Sequence, residues 1–472
     1  MSVVVLLADG ARADTFAAAC ASGELPALAR LRDEGGLHTV STVFPSVTGL
    51  AYVPFLMGRF PGPVGLPGLR WYDRARSRCT LPPFCRSYLS AEMRHLDRDV
   101  DARAPTIFDL VRTRFNAMSM LGRGVGRGNH LGRSLRFMLR VARVHWRGDV
   151  RGWLDIDRDV GRHVARRIRT HRPDFTFLAL LGLDKTSHST GHDSEPARDA
   201  LRIVDDVAAE IRHDAERAGR WDDMHLWVVS DHGHSPVRAH DDIAELVREA
   251  GHRTIAHPWV YAFRRPDVAV MVSGNAMAHL YLETSRRVRP WWPELATRWE
   301  PLTELLLERE SVDLVLLPHS PTRCEVRGRG RGSAMVMHEE GRFSYLPVTG
   351  DPLGLGDEHR ALDADESHDL TMRSDYPDAL AQIIHLAGSA RAGEIILSAA
   401  PGWDFRAKYE PIPHVSTHGA LHREHMLVPL LVNRPVARVP RRTTDVMPSA
   451  LNALGVPVPR GLDGRSFVTG RG

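Results

Sequence analysis

The chain has 472 residues, 43% of them hydrophobic and 25% charged, with a formal net charge of +4. Those proportions are ordinary for a globular protein and exclude intrinsic disorder, collagen-like and coiled-coil architectures. The small charge excess does not argue for a nucleic-acid-binding module, and the length allows two or three domains or one large α/β domain with insertions.

From the N-terminus, Met1-Ser-Val-Val-Val-Leu-Leu-Ala leads into Asp9. This start has no positive leading region and no small-residue cleavage site, so it does not read as a signal peptide. No window approaches the ~20 apolar residues of a membrane span. Four cysteines, Cys20, Cys79, Cys85 and Cys324, form no CxxC pair and are too few for a disulfide framework. The expectation is a soluble cytoplasmic protein with free thiols. Of the 62 basic residues only Lys185 and Lys408 are lysines, and histidine is plentiful at 25.

Three apolar runs end in acidic residues: Val3–Ala8 before Asp9, Phe175–Leu183 before Asp184, and Met224–Ser230 before Asp231. None alternates with period two, so each predicts a central strand covered on both faces. Helical patterns lie over Ala27–Glu34, Thr48–Met57, Asp155–Thr170, Glu195–Ala218 and Asp241–Ala250. This alternation predicts an α/β fold: a doubly wound, mostly parallel sheet with helices on both faces. Core residues over 1–255 carry an Arg-rich helical insertion at about 92–172. A smaller inserted α+β cap, a candidate substrate region, is expected over 256–355, and the second part of the core over 356–472.

Ligands of such sheets bind at the carboxyl ends of strands, so Asp9, Asp184 and Asp231 are placed to converge. Aspartate and histidine are common metal ligands. Asp184 and His188 stand one helical turn apart, and Asp231 and His232 are adjacent. Asp9 and His418 complete a set of six ligands, enough for two three-ligand sites. Two metals about 4 Å apart form a clamp for in-line displacement at phosphorus. Thr48 precedes an apolar helical stretch whose N-terminus would offer N–H groups to a phosphoryl group. It is the nucleophile candidate, with Ser46 its rival. His192, His234, His414, His422 and His425 read as outer or surface residues, and Cys79 and Cys85 as ordinary thiols.

Together these segments resemble the alkaline phosphatase superfamily, most closely its type I phosphodiesterase/nucleotide pyrophosphatase branch. Asp9-Gly10-Ala11-Arg12 matches that branch's Asp-Gly-x-Arg, and Phe44-Pro45-Ser46-Val47-Thr48 its nucleophile segment. Asp184–His188, Asp231-His232-Gly233 and Thr417-His418-Gly419 follow in family order, as do Met57-Gly58 through Gly65. Counting back from Gly58 favours Thr48 over Ser46. The resemblance implies an alkaline phosphatase-like fold and two divalent ions, taken as zinc. Asp184, His188 and His418 would hold one, and Asp9, Asp231, His232 and Thr48 the other. It implies a phosphodiesterase or nucleotide pyrophosphatase working through a phospho-threonine intermediate on a phosphorylated small molecule. A phosphomonoesterase or phosphonate hydrolase on the same core is the alternative, and a non-catalytic binding protein that keeps the fold is the other. One position departs: Leu69 stands where the family has an asparagine donor, and Arg70 beside it is the candidate substitute in substrate binding.

Residues 103–172 hold 17 arginines against five aspartates and no glutamate. Within them Arg136, Arg140, Arg143 and Arg147 share one helix face, beside Leu135, Leu139, Ala142 and Trp146. Three readings stand: a cap helix that packs Leu139 and Trp146 inward, a basic amphipathic helix lying on an anionic membrane through 134–147, or a basic rim that attracts anionic substrates by its long-range field.

Overall fold

In the computed structural model, which describes residues 1–77, 85–89, 91–258, 260, 265–406 and 413–470, the strand β1 (Ser2–Ala8) is buried along nearly its whole length. Cys79 and Lys408 lie outside the described residues. Val3, Val5 and Leu7 pack in one core with Tyr52, Phe55 and Leu451. Val4, Leu6 and Ala8 pack in another with Phe16, Val164 and Val204. A strand with two apolar faces must lie inside a sheet covered on both sides, which is why its sequence lacks period-two alternation.

The sheet has seven strands: β1, β2 (Gly36–Ser41), β3 (Arg114–Ala117), β4 (His130–Leu131), β5 (Phe175–Leu180), β6 (Met224–Val229) and β7 (Leu427–Val432). Their order is β2-β7-β6-β1-β5-β3-β4. From β6 to β4 every pairing is parallel, while β7 runs antiparallel to both β6 and β2. Helices α1 (Ala13–Ser22) and α2 (Pro26–Glu34) cover one face. α3 (Val53–Met57) lies on the other. Further along the chain come α4 (Leu135–Trp146), α5 (Val150–His171), α6 (Gly182–Thr190), α7 (Glu195–Arg217) and α8 (Val446–Leu454). Of these α5 and α7 join the first face and α8 the second. This is the doubly wound, mostly parallel α/β sheet expected from the sequence.

A second, nine-stranded sheet spans Thr254 to Ala399. Apart from one parallel pair at its edge, its ladders are antiparallel. Ile395–Ala399 falls within 356–472, the segment read from the sequence as the second part of the core. It is instead an inner strand here, between Met277–Leu282 and Val312–Ser320. All five of its residues are buried, and a strand covered on both faces reads alike in either sheet.

Two local expectations are corrected. The helix over Thr48–Met57 is split into a 3₁₀ turn at Leu50–Tyr52 and the short α3. Pro54 has no N–H to return to the carbonyl of Leu50, so a continuous α-helix cannot form. In α4 the cap-helix reading has the wrong face inward. Phe137, Val141 and Val144 meet the core, whereas Leu135, Leu139 and Trp146 are 74%, 62% and 72% exposed. No helix among the described residues is long and apolar enough to cross a membrane.

Candidate active site

Three neighbouring parallel strands, β6, β1 and β5, each release an aspartate at the carboxyl end of the sheet. Asp9 follows β1, Asp231 lies just beyond β6, and Asp184 sits in the first turn of α6 after β5. All three are buried. His188 follows Asp184 by one turn of α6. His418 arrives from the far end of the chain, where Ser416–Thr417 pairs antiparallel with Ser235–Pro236 and ties the late Thr-His-Gly segment to the Asp-His-Gly segment.

Three imidazoles converge on one oxygen. Asp184 Oδ1 lies 2.9 Å from His234 Nε2, 3.2 Å from His188 Nε2 and 3.4 Å from His418 Nε2. Beside them His232 Nε2 is 3.3 Å from Asp9 Oδ1 and 3.4 Å from Asp231 Oδ2. Thr48 Oγ1 stands 3.1 Å from Asp9 Oδ1 and 3.2 Å from His232 Nε2. The ligand atoms fall into two overlapping groups, Asp184–His188–His234–His418 and Asp9–Asp184–His232, each with its atoms within 4.8 Å of one another. The sequence-predicted residues Asp9, Thr48, Asp184, His188, Asp231, His232 and His418 therefore meet in one place. The Ser46 hydroxyl is directed elsewhere, donating to the Ala420 carbonyl at 3.2 Å.

The outer nitrogens of the rings fix their tautomers. His188 Nδ1 lies 2.8 Å from the Ser416 carbonyl, His418 Nδ1 2.9 Å from the Ser46 carbonyl and His232 Nδ1 3.0 Å from the Gly233 carbonyl. A carbonyl only accepts, so each neutral ring carries its proton on Nδ1 and turns the Nε2 lone pair inward. That is the outer support metal-binding histidines use.

The electrostatics call for cations. Burial pushes the Asp231 carboxyl well above its ordinary range, and neighbouring Asp9 adds to it. Asp231 Oδ2 accepts no hydrogen bond among the described residues. Burial also lowers His232, but Asp231 and Asp9 outweigh it and lift the ring to about 9. Asp184 is raised by burial, yet Lys185 and His188 bring it well below the usual carboxylate range. Lys185 Nζ donates to Asp184 Oδ2 at 2.7 Å. Clustered carboxylates, an orphaned buried oxygen and inward lone pairs form a donor set that fits divalent metal ions.

His234 is the residue that sequence reasoning placed outside the site. It is fully buried, and its ring fixes Gly10: a Cβ there would come within 2.9 Å of His234, and the residue has φ +82°. The available signal was His234 two residues after His232 in Asp231-His232-Gly233-His234. His414 stacks on His188 at 4.1 Å and hydrogen-bonds Asp404 at 3.1 Å, placing it beside the cluster. His192 lies 3.5 Å from Arg12, and His422 and His425 are buried. Leu69 packs in the core with Trp71 and Tyr72. The backbone N–H of Arg70 donates to Ser273 Oγ at 3.4 Å, and its charge adds to the burial that lowers His257.

A doubly wound α/β sheet carrying this carboxylate–imidazole cluster at its strand ends defines a metal-dependent hydrolase. The chain belongs to the type I phosphodiesterase / nucleotide pyrophosphatase family, whose model matches residues 3–313. No curated protein matches the sequence. Among solved structures, the phosphonoacetate hydrolase of Sinorhizobium meliloti in complex with phosphonoacetate is similar at 15% identity and TM-score 0.59, over 96% of both chains. Murine ectonucleotide pyrophosphatase/phosphodiesterase 5 is similar at 13% identity and TM-score 0.58, over 98% of both. An inactive threonine-to-alanine form of the murine protein, in complex with AMP, is similar at 14% identity and TM-score 0.57, over 98% of this chain and 97% of that one.

Proposed function

We propose that this protein hydrolyses phosphodiesters or nucleotide pyrophosphates, with Thr48 as nucleophile and a phospho-threonine intermediate. The observation that carries the reading is the Thr48 hydroxyl, which stands among Asp9 and His232 while the Ser46 hydroxyl bonds the Ala420 carbonyl. Asp184, His188 and His418 would hold one divalent ion, with His234 beside them, and Asp9, Asp231, His232 and Thr48 the other. Bound there, such ions supply Lewis acidity and lower the pKa of a nearby hydroxyl.

The chain's own residues do the rest. The Thr48 O–H donates to Asp9 Oδ1 at 3.1 Å, which orients Oγ1 toward the cluster, and its proton passes to solvent as the bond to phosphorus forms. Thr48 Oγ1 then bonds phosphorus as the bond to the leaving oxygen breaks. Water later cleaves the threonine ester and restores the hydroxyl. An all-nitrogen-and-oxygen donor set suits zinc. The free Cys20, Cys85 and Cys324 suit a reducing, cytoplasmic setting.

A second reading, hydrolysis of phosphonates or phosphomonoesters, draws on one feature. The family's asparagine donor is replaced by Leu69, which is buried in the core, and a lost donor of that kind weakens transition-state stabilisation by about 3–4 kcal/mol. Turnover of bis-p-nitrophenyl phosphate, p-nitrophenyl phosphate and phosphonoacetate by protein of measured metal content tests both. Preferred turnover of the diester is expected. Turnover of only the monoester or the phosphonate would replace the first reading with the second. Inactivity on all three with two ions bound would remove both.

A further inference from the structure

α4 (Leu135–Trp146) turns an apolar stripe outward. Phe137, Val141 and Val144 hold it to the core. On the opposite side Leu135, Leu139 and Trp146 are 74%, 62% and 72% exposed. At about 1.5 Å of rise per residue the stripe runs roughly 16 Å. Arg136, Arg140, Arg143 and Arg147 form a band along one edge of it. Arg140 pairs with Asp159 at 2.8 Å. Arg136, Arg143 and Arg147 pair with no carboxylate among the described residues.

The surroundings leave that charge uncompensated. From Arg123 through Arg147 the sequence holds seven arginines and no acidic residue, and of these Arg123 and Arg133 pair with Asp109 and Asp97, away from the exposed edge of α4. Carboxylates farther along are engaged: Asp149 accepts the Gly152 N–H at the start of α5, Asp155 holds Arg158, and Asp159 also holds Arg162. An occupant must therefore be apolar along one line and anionic immediately beside it. Tryptophan and leucine flanked by arginine suit the boundary between acyl chains and headgroups, where the ring is buried and the guanidinium groups meet phosphates.

We propose that α4 docks the protein on an anionic lipid bilayer, with Leu135, Leu139 and Trp146 at the acyl boundary and Arg136, Arg143 and Arg147 on lipid phosphates. The proposal is independent of the substrate.

The full-length protein is sedimented with vesicles of phosphatidylcholine alone and with vesicles in which a third of the lipid is phosphatidylglycerol. It should pellet with the second and not the first, and high salt should release it. Arg136→Glu/Arg143→Glu/Arg147→Glu should weaken binding by about 100-fold. Leu139→Ser/Trp146→Ser should do so even at low salt. These side chains are exposed, so both variants should keep the wild-type turnover of a soluble substrate, and that separates lost docking from misfolding. Wild-type protein that stays in solution with anionic vesicles, or variants that pellet like wild type, would overturn the proposal. So would a wild-type dimer that ignores vesicles and becomes monomeric in Leu139→Ser/Trp146→Ser, which assigns the stripe to a second copy.

Discussion

Tyr52 donates its phenolic hydrogen to Asp9 Oδ2 across 2.5 Å, and both residues are fully buried. That bond occupies one carboxylate oxygen and leaves Oδ1 to face Thr48 and His232. Burial, reinforced by Asp9, holds the phenol well above its ordinary pKa, so it remains a donor. Its ring is fixed by the 3₁₀ turn after Gly49 and by packing against Phe177 at 5.6 Å.

Tyr52→Phe should therefore preserve the fold and loosen Asp9. Removing an outer hydrogen bond to a ligand typically weakens metal affinity by about 10–100-fold. Chelator competition on the purified variant reads this directly. Wild-type affinity would reduce Tyr52 to a packing residue.

Thr48→Ala should lower turnover by more than about 10³-fold, on the scale of other nucleophile deletions, while metal content stays near wild type. Ser46→Ala should cost about 1 kcal/mol of stability through its lost bond to Ala420 and leave turnover within a few-fold. Single-turnover kinetics with trapping of a phosphorylated Thr48 peptide checks both. The reverse pattern would move the nucleophile to Ser46.

His234→Ala should weaken binding of one of two ions by about 10–100-fold, because it removes an Nε2 that lies 2.9 Å from Asp184 Oδ1. Metal stoichiometry during dialysis against chelator separates the sites. Two ions retained at wild-type affinity would leave His234 as packing against Gly10.

The sequence made the central strands and their acidic ends legible because both faces of β1, β5 and β6 are covered and each apolar run stops at a carboxylate. The meeting of Thr48 with Asp9 and His232 was legible only through the order of motifs, since nothing local links residues 9, 48 and 232. His234 was missed because the family pattern ends at Gly233. The outward face of α4 was not legible because the helix carries two apolar arcs, and the larger one, with Leu139 and Trp146, is exposed. Likewise Ile395–Ala399 is buried throughout and apolar but for Ser398, so its composition cannot say which sheet it joins.

Away from the site, Arg442 grips Asp378 through two hydrogen bonds of 2.6 and 2.8 Å, and both side chains are buried. Asp378 also accepts from Gln382 at 2.8 Å and from Ser41 at 3.3 Å, and so connects the end of β2 to the segment after β7 that carries Arg442. Arg442→Met would leave this carboxylate buried with neutral donors only. The expected loss is about 3–5 kcal/mol, read from the midpoint of urea unfolding. A loss below about 1 kcal/mol would mean that Ser41, Gln382 and entering water suffice.

His279 gives the fold a defined acid sensitivity. Its Nε2–H donates to the Pro67 carbonyl at 2.9 Å, and its Nδ1 accepts the Gly393 N–H at 3.2 Å. One neutral tautomer satisfies both partners, and a proton added at Nδ1 would be aimed at another N–H. Burial lowers the ring to about 4, against the opposing pull of the Pro67 carbonyl, whereas an unfolded histidine titrates near 6.5. The folded value is the lower one, so the unfolded chain takes up the proton first as pH falls. The stabilising contribution is complete above about pH 6.5 and is lost toward pH 4, amounting to about 3 kcal/mol across that window. His279→Gln retains a donor and an acceptor but cannot titrate. Unfolding free energies in chelator should therefore favour wild type at neutral pH, with the gap closing or reversing by about 3 kcal/mol near pH 4. Parallel stability curves for the two proteins between those limits would show that His279 does not take up a proton in this range.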